Sequence, residues 1–220
     1  MRQNGTDAFV LLNIAQTPKQ QEKANAFVCS IKEKNIYPFA ALHPFSDDWE
    51  YQLEKACDCG LKGVKLHPEY QGFDMDDLSV FKFYEKCVEK DMILLFHGGY
   101  DPAYPFSRRG YPDKARHVVK AFKGGKIVLA HMGNPLSLDS AEEYLLGSDV
   151  YFDLSMAYFN IPAEHAAEFI KNHGVDKFLY ATDSPWSNAA ATSEYIKSMN
   201  LGQEAEDLIF YKNAQSLLKI

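Results

Sequence analysis

The sequence has no long hydrophobic run and no excess of positive charge. No apolar stretch in its 220 residues approaches the ~20 residues that a membrane-spanning helix needs. The net charge is −7, with 23 Lys and Arg against 30 Asp and Glu, which argues against a general nucleic-acid binder. The first residues also lack the apolar segment of a signal peptide. We therefore expect a cytoplasmic protein that binds neither membranes nor nucleic acids.

Cysteine is scarce as well, with four residues in the chain: Cys29, Cys57, Cys59 and Cys87. Zinc sites prefer a wider spacing than that of Cys57 and Cys59, and a second pair of ligands. The sequence therefore predicts reduced, structural cysteines, the usual state in the cytoplasm.

What the chain does contain is a regular alternation of apolar runs and amphipathic stretches. The predicted strands are residues 8–14, 37–42, 63–66, 93–96, 127–130, 150–154 and 178–181. The predicted helices are residues 19–34, 47–59, 76–90, 112–122, 138–146, 162–173, 187–199 and 204–218. Such alternation predicts a parallel sheet, and its regular period favours a TIM-type α/β barrel forming one domain over residues 1–220. Seven βα units are visible, one short of the eight in a complete barrel.

Polar residues that could carry chemistry fall at one end of the predicted strands. They are His43, Lys65, His67, His97, His131, Asp153 and Asp183. The carboxyl ends of parallel barrel strands open on one face, so these side chains should converge in space. A lone histidine at such a position is usually structural, whereas four together with a carboxylate indicate a metal or acid–base site.

His97 and Asp183 are the predicted metal ligands, because imidazole nitrogen and carboxylate oxygen suit a divalent ion such as zinc. We expect His131 either to bind the metal or to polarise a substrate carbonyl. Asp183 is assigned a second role, taking the proton from a metal-activated water.

Substrate binding is predicted for residues around this pair. Lys65 and His67 share parity on their strand and should both point into the barrel. For Lys65 the alternatives are a substrate contact, a buried ion pair with Asp153, or carboxylation to bridge two metals.

The long loop after His97 should shape the substrate pocket. We assign substrate contacts there to Tyr100 and to Arg108 and Arg109, which suit a carboxylate or phosphate, and also to Trp186 in the turn after Asp183. The alternative for either arginine is a solvated loop charge. The helical histidines are predicted to be surface residues: His117, His165 and His173.

Several motifs in order resemble the amidohydrolase-related family of TIM-barrel metal-dependent hydrolases. They are GVKLHPEYQGF, LLFHGGYDP, KIVLAHMGNP, VYFDLS, LYATDSPW and YKNAQSLLKI. The resemblance implies a (β/α)8 barrel with one divalent metal, commonly zinc. By motif matching it places a metal-binding histidine at His97, a catalytic histidine at His131 and the metal-binding aspartate at Asp183.

The chain departs from this family pattern at its beginning. The family's first strand carries His-x-His, which supplies two metal ligands, and this sequence contains no His-x-His. Residues 1–5 resemble the end of the family's first helix, so either the start codon is assigned too far downstream or the barrel is reduced. We expect zinc to be weakly bound or absent, and an in-frame upstream segment encoding His-x-His. Unpaired strand edges would favour a homodimer.

Three functions remain open on the sequence alone. The first is a metal-dependent hydrolase, or a related non-oxidative decarboxylase, acting on a small polar molecule. The second is a catalytically impaired barrel that serves as a binding or scaffold module. The third is a TatD-like metal-dependent nuclease, against which the acidic composition weighs.

Overall fold

The computed structural model of the protein describes residues 5–220, in which seven strands alternate with helices. The strands are β1 (Phe9–Leu11), β2 (Ile36–Pro38), β3 (Gly63–Leu66), β4 (Ile93–Phe96), β5 (Ile127–Leu129), β6 (Tyr151–Asp153) and β7 (Phe178–Leu179). The α-helices are α1 (Gln21–Ser30), α2 (Trp49–Asp58), α3 (Pro68–Gln71), α4 (Phe81–Glu89), α5 (Pro112–Ala121), α6 (Asp139–Leu145), α7 (Ala163–His173), α8 (Ala189–Ser198), α9 (Gln203–Asp207) and α10 (Asn213–Leu218). The helix end predicted at residues 1–5 lies outside the described residues except for Gly5.

All strand pairs are parallel and join neighbours in the chain. β1 pairs with β2, and β3 to β7 form a five-stranded sheet in sequence order. An isolated parallel bridge between Ala40 and Val64 connects the two sheets. Within residues 5–220, β7 and β1 are not paired with each other. The prediction of a TIM-type α/β barrel with seven visible strands is confirmed, and the seven strands do not close.

The two faces of the sheet have different partners. β3 and β4 are buried along their whole length, as expected for continuous apolar runs in a parallel sheet. The outward-facing residues pack under the helices, whereas a second cluster lies on the inner face: Phe39, Ile93, Leu95, Val128, Ala130 and Leu179. Lys65 pairs in register with Leu95, and so shares the inner face, as its parity predicted.

The C-terminal helix closes part of this inner face. Leu217 and Leu218 of α10 are buried against the inner cluster. Lys219 forms an ion pair with Asp91, the second residue before β4. This contact places the end of the chain at the amino ends of the strands, opposite the end that carries the predicted site.

Two expectations from the sequence are wrong. Cys29 and Cys59 form a disulfide between α1 and the end of α2, while Cys57 and Cys87 are free thiols. His173 is buried rather than exposed, because its ring joins the backbone N–H of Gly147 to the carbonyl of Val150. Among the helices of residues 5–220, none combines the length and apolarity that crossing a bilayer requires.

Candidate metal centre and active site

Three buried side chains meet at the carboxyl ends of β3 and β4. One donor atom from each of His67, His97 and Asp101 lies within 4.8 Å of the other two. The Oδ2 atom of Asp101 is 3.2 Å from Nε2 of His67 and 3.9 Å from Nε2 of His97. The two imidazole rings stack with centroids 4.0 Å apart. Two imidazoles and a carboxylate are a donor set that divalent transition metals accept.

A chain of hydrogen bonds starts at Asp153 and ends at His97. The Ser155 hydroxyl donates to Asp153 Oδ1 and lies 2.8 Å from Nδ1 of His131. Nε2 of His131 is 3.2 Å from Nδ1 of His97. The backbone N–H groups of His131 and Ser155 also donate to Asp153 Oδ1, at 2.9 and 3.1 Å.

This series of hydrogen bonds determines which ring nitrogens of His131 and His97 carry protons. Because the single Ser155 proton goes to Asp153, Nδ1 of His131 must be the donor to the hydroxyl. A neutral His131 then accepts at Nε2, so Nδ1 of His97 carries a proton and its Nε2 does not. Within the described residues, that buried Nε2 atom has no hydrogen-bond partner. A buried bare nitrogen beside a carboxylate fits a metal ion, since a buried polar atom without a partner is otherwise costly.

Burial keeps these imidazoles neutral. Desolvation lowers the pKa of His67 to about 3, helped by the nearby charge of Lys65. Desolvation likewise holds the pKa of His97 well below its usual range. The pKa of His131 is lowered for the same reason, although the carboxylates of Asp153 and Asp183 oppose the shift. Neutral imidazoles are the form that binds metals.

Backbone geometry also marks this region. His131 and Asp183 adopt left-handed conformations, with φ of 59° and 55°. Such conformations cost roughly 1–3 kcal/mol in non-glycine residues and concentrate at functional sites. Gly98 follows His97, and a Cβ atom there would lie 2.4 Å from the Ala130 carbonyl oxygen. Only glycine therefore allows the ends of β4 and β5 to approach this closely.

Glu69 anchors the long loop over the site. Its Oε1 atom accepts a hydrogen bond from the Gly110 N–H at 3.0 Å, and Gly99 donates to the Gly110 carbonyl at 3.0 Å. The buried Oε2 atom of Glu69 has no hydrogen-bond partner among residues 5–220 and lies 3.8 Å from Nδ1 of His67. Burial raises the pKa of this carboxyl.

Lys65 lies on the inner face with 6% of its surface exposed. Burial lowers its pKa, and the charges of Asp153 and Asp183 oppose that shift. In the described part of the chain it forms no ion pair within 4.0 Å, so the structure does not contain the direct Lys65–Asp153 pair considered from the sequence. Its amine remains available to a ligand in the barrel.

Asp183 ends the segment after β7 and is exposed. It is not a member of the compact His67–His97–Asp101 group, although its charge acts on Lys65 and His131. Trp186 follows in the same turn, with its N–H donating to the Asp183 carbonyl at 2.9 Å, and its side chain is 77% exposed.

The predicted substrate residues of the loop lie at its rim. Tyr100 is partly buried, and its N–H donates to Asn134 Oδ1 at 3.3 Å. Arg108 faces Asp113 at 3.6 Å, and Arg109 faces Asp74 at 3.7 Å. Both arginines are thus engaged in partly exposed ion pairs, which a substrate anion would have to replace.

Glu69, Asp101 and Ser155 are not among the site residues that the sequence predicts. Asp101 follows His97 by four residues, and Ser155 follows Asp153 by two, so both were close to residues already singled out. The missing signal was three-dimensional, because the fold of the loop brings Asp101 back against His67.

Comparisons with known proteins agree with this architecture. No curated protein matches the chain. The solved 5-carboxyvanillate decarboxylase from Sphingomonas paucimobilis is 17% identical, with a TM-score of 0.79 over 100% of this chain and 81% of that one. A 5-carboxyvanillate decarboxylase from Novosphingobium aromaticivorans, solved with bound manganese, is 16% identical, with a TM-score of 0.75 over 97% and 77%.

A third similar structure is described as a probable 2-pyrone-4,6-dicarboxylic acid hydrolase from Acinetobacter baumannii. It is 14% identical, with a TM-score of 0.72 over 100% of this chain and 86% of that one. At these identities the structures show a shared fold. The Amidohydrolase family model, however, matches residues 14–220, which is nearly the whole sequence, and the chain therefore belongs to the Amidohydrolase family.

Proposed function

We propose that the protein is a metal-dependent enzyme that hydrolyses or decarboxylates a small carboxylic acid on a planar ring. The observation that carries this proposal is the buried chain from Asp153 to His97, which leaves one imidazole nitrogen bare beside a carboxylate. A merely structural histidine would place both ring nitrogens in hydrogen bonds.

His97 is the residue best placed to hold the divalent ion, through Nε2. A bound zinc or manganese ion would supply a Lewis acid that polarises a carboxylate or carbonyl group and makes nearby water more acidic. The similar structure solved with bound manganese supports manganese as an alternative to zinc. We retain Asp183, whose charge reaches Lys65 and His131, as the base that takes a proton from water or substrate.

His131 transfers the second proton. Its Nδ1–H is held by the Ser155 hydroxyl at 2.8 Å, and the hydroxyl is in turn oriented by Asp153. This arrangement leaves Nε2 as the basic atom, and in this structure it accepts the Nδ1–H of His97, a hydrogen bond that it must exchange for one to substrate. Nε2 would then accept a proton from water during hydrolysis. During decarboxylation it would take the proton of a ring hydroxyl and deliver it to the ring carbon from which CO2 leaves.

The substrate class follows from Lys65 and the aromatic residues around His67. The buried amine of Lys65 forms no ion pair in the described chain, so a substrate carboxylate would provide its counter-charge. Tyr70 stacks on His67 with centroids 3.9 Å apart, and Tyr104 lies 5.4 Å from Tyr70. The names of the similar structures include ring carboxylic acids.

The rim residues complete the pocket in this proposal. His67 borders the ring, and Tyr100 lies beside it at the start of the loop. Arg108 and Arg109 exchange their ion pairs with Asp113 and Asp74 for a second substrate carboxylate. Trp186 is exposed and would cover the ring when substrate binds.

The test is a turnover assay with the full chain loaded with manganese or zinc. Hydroxylated benzoic acids are followed by CO2 release, and pyrone carboxylic acids by loss of ring absorbance. We expect turnover of at least one class, and a loss of about 10²–10⁴-fold in His131→Asn, because proton transfer contributes an acceleration of that size.

The matched control is His117→Asn, which changes the same residue type on the surface of α5 and should retain activity. Turnover that persists in His131→Asn would refute the assigned proton transfer. If the loaded protein binds ring carboxylic acids but converts none of them, the barrel is a binding module instead.

A further inference from the structure

The geometry points to a divalent cation held by His67, His97 and Asp101 together. This inference deepens the proposed function and rests on its requirement for a bound ion. It gives His67 a metal-binding role in place of the substrate contact that the sequence predicts.

The distances fit a shared ion. Asp101 Oδ2 lies 3.2 Å from His67 Nε2 and 3.9 Å from His97 Nε2. Two ligands of one ion, each about 2.1 Å from it, are about 3.0–3.5 Å apart in octahedral or tetrahedral geometry. Asp101 Oδ2 and His67 Nε2 are already at that separation, whereas His97 Nε2 must approach. Because the two imidazole rings are stacked with their planes 12° apart, one ring must rotate for both Nε2 atoms to face the same ion.

Two buried atoms without partners find one explanation in this site. His97 Nε2 has no hydrogen-bond partner within residues 5–220, and neither does Glu69 Oε2. Glu69 Oε2 is 3.8 Å from His67 Nδ1, on the side of the ring away from Asp101. A metal-binding histidine usually donates its other N–H to a carboxylate.

Binding would therefore move the His67 proton. Without the ion, Nδ1 accepts a long hydrogen bond from the Tyr70 N–H at 3.4 Å, so the proton of a neutral His67 lies on Nε2, which is 3.2 Å from Asp101 Oδ2. With the ion on Nε2, the proton shifts to Nδ1 and donates to Glu69. The weak Tyr70 contact is lost, and the buried Glu69 oxygen gains a partner.

Asp101 is already oriented for this role. Its Oδ1 atom accepts the Ala103 N–H at 2.7 Å, which fixes the carboxylate plane and turns Oδ2 towards both histidines. Glu69 also holds the loop, through the Gly110 N–H at 3.0 Å. The Glu69 carboxylate therefore anchors the loop at Gly110 and, with the ion bound, would also accept the His67 Nδ1–H.

Metal affinity of the purified full chain tests the assignment. Co²⁺ is titrated against a chromophoric chelator, and its visible absorption reports the coordination. We expect at least about 100-fold weaker binding in Asp101→Asn and His67→Gln, because each loses a direct ligand. Glu69→Gln should weaken binding by about 10–100-fold, as loss of a carboxylate behind a ligand does. Asp139→Asn, an exposed carboxylate on α6, is the matched control and should bind as the parent does.

A second measurement uses only the unaltered protein, so its result does not depend on whether the variants fold. In the unaltered protein, long-range ¹H–¹⁵N spectra with Zn²⁺ should show the His67 proton moving from Nε2 to Nδ1. If Asp183→Asn abolishes Co²⁺ binding while Asp101→Asn leaves it unchanged, the assignment of Asp101 is overturned and the proposed function stands. If the unaltered chain binds no divalent ion, both fall.

Discussion

Replacing Ser155 by alanine removes the group that connects Asp153 to His131. Ser155 is 2% exposed and His131 is 4% exposed, so no solvent can take over the lost hydrogen bond. The Nδ1–H group of His131 is then buried without a partner, which costs about 1–3 kcal/mol. Asp153 keeps the hydrogen bonds from the backbone N–H groups of His131 and residue 155, so the lost hydroxyl adds little further cost at the Asp153 carboxylate. We expect Ser155→Ala to lower the free energy of unfolding by about 2 kcal/mol.

Urea unfolding measures this loss, provided that the slope with denaturant is unchanged. The control is Ser198→Ala, since Ser198 is exposed and its hydroxyl bonds locally to the Tyr195 carbonyl at 2.7 Å. It should change stability by less than about 0.5 kcal/mol. Histidine ¹⁵N spectra add a second reading, because His131 should lose its strict preference for the Nδ1–H form. If Ser155→Ala matches the control and His131 keeps that form, the Ser155 hydroxyl does not hold the His131 proton.

Two further predictions concern the same region. Gly98→Ala should lower the free energy of unfolding, measured with urea, by about 3 kcal/mol, because its Cβ would lie 2.4 Å from the Ala130 carbonyl oxygen. The control is Gly72→Ala, where a Cβ meets open space but φ is +74°, and it should lower the free energy of unfolding by about 1 kcal/mol. Equal losses of stability in the two variants would contradict the steric explanation. Stability should also fall with acid, since His67, with its pKa lowered to about 3, binds its proton only in the unfolded chain between that value and about 6.5. The contribution is complete above pH 6.5 and declines by up to about 1.4 kcal/mol per pH unit below it, so a stability that is flat from pH 7 to pH 5 would contradict the burial of a neutral imidazole.

The central strands could be predicted from the sequence because burial on both faces leaves a simple signal. β3 and β4 occur at the predicted bounds, residues 63–66 and 93–96. β1 was predicted over residues 8–14 but spans Phe9–Leu11, and β7 was predicted over residues 178–181 but spans Phe178–Leu179. These are the outermost strands, and within residues 5–220 each pairs with a neighbour on one side only, so the apolar run extends further than the strand pairing.

The sequence predicts those site residues that lie directly at the carboxyl end of a strand. His97 and His131 lie there, and both enter the buried network. Asp101 was missed because its position depends on the hydrogen bonds of Gly99 and Glu69 with Gly110, which link residues far apart in the chain. The burial of His173 was missed for a similar reason, since its partners lie 26 and 23 residues away.

The disulfide between Cys29 and Cys59 crosses the weakest seam of the sheet. Between β2 and β3, two backbone hydrogen bonds pass through Ala40, at 2.8 and 3.1 Å, whereas β3 and β4 pair along four residues. The β1–α1–β2 unit is therefore joined to the rest of the sheet by fewer backbone hydrogen bonds than join β3 to β4. The disulfide from α1 to the end of α2 adds a covalent connection across this seam, where backbone pairing contributes least.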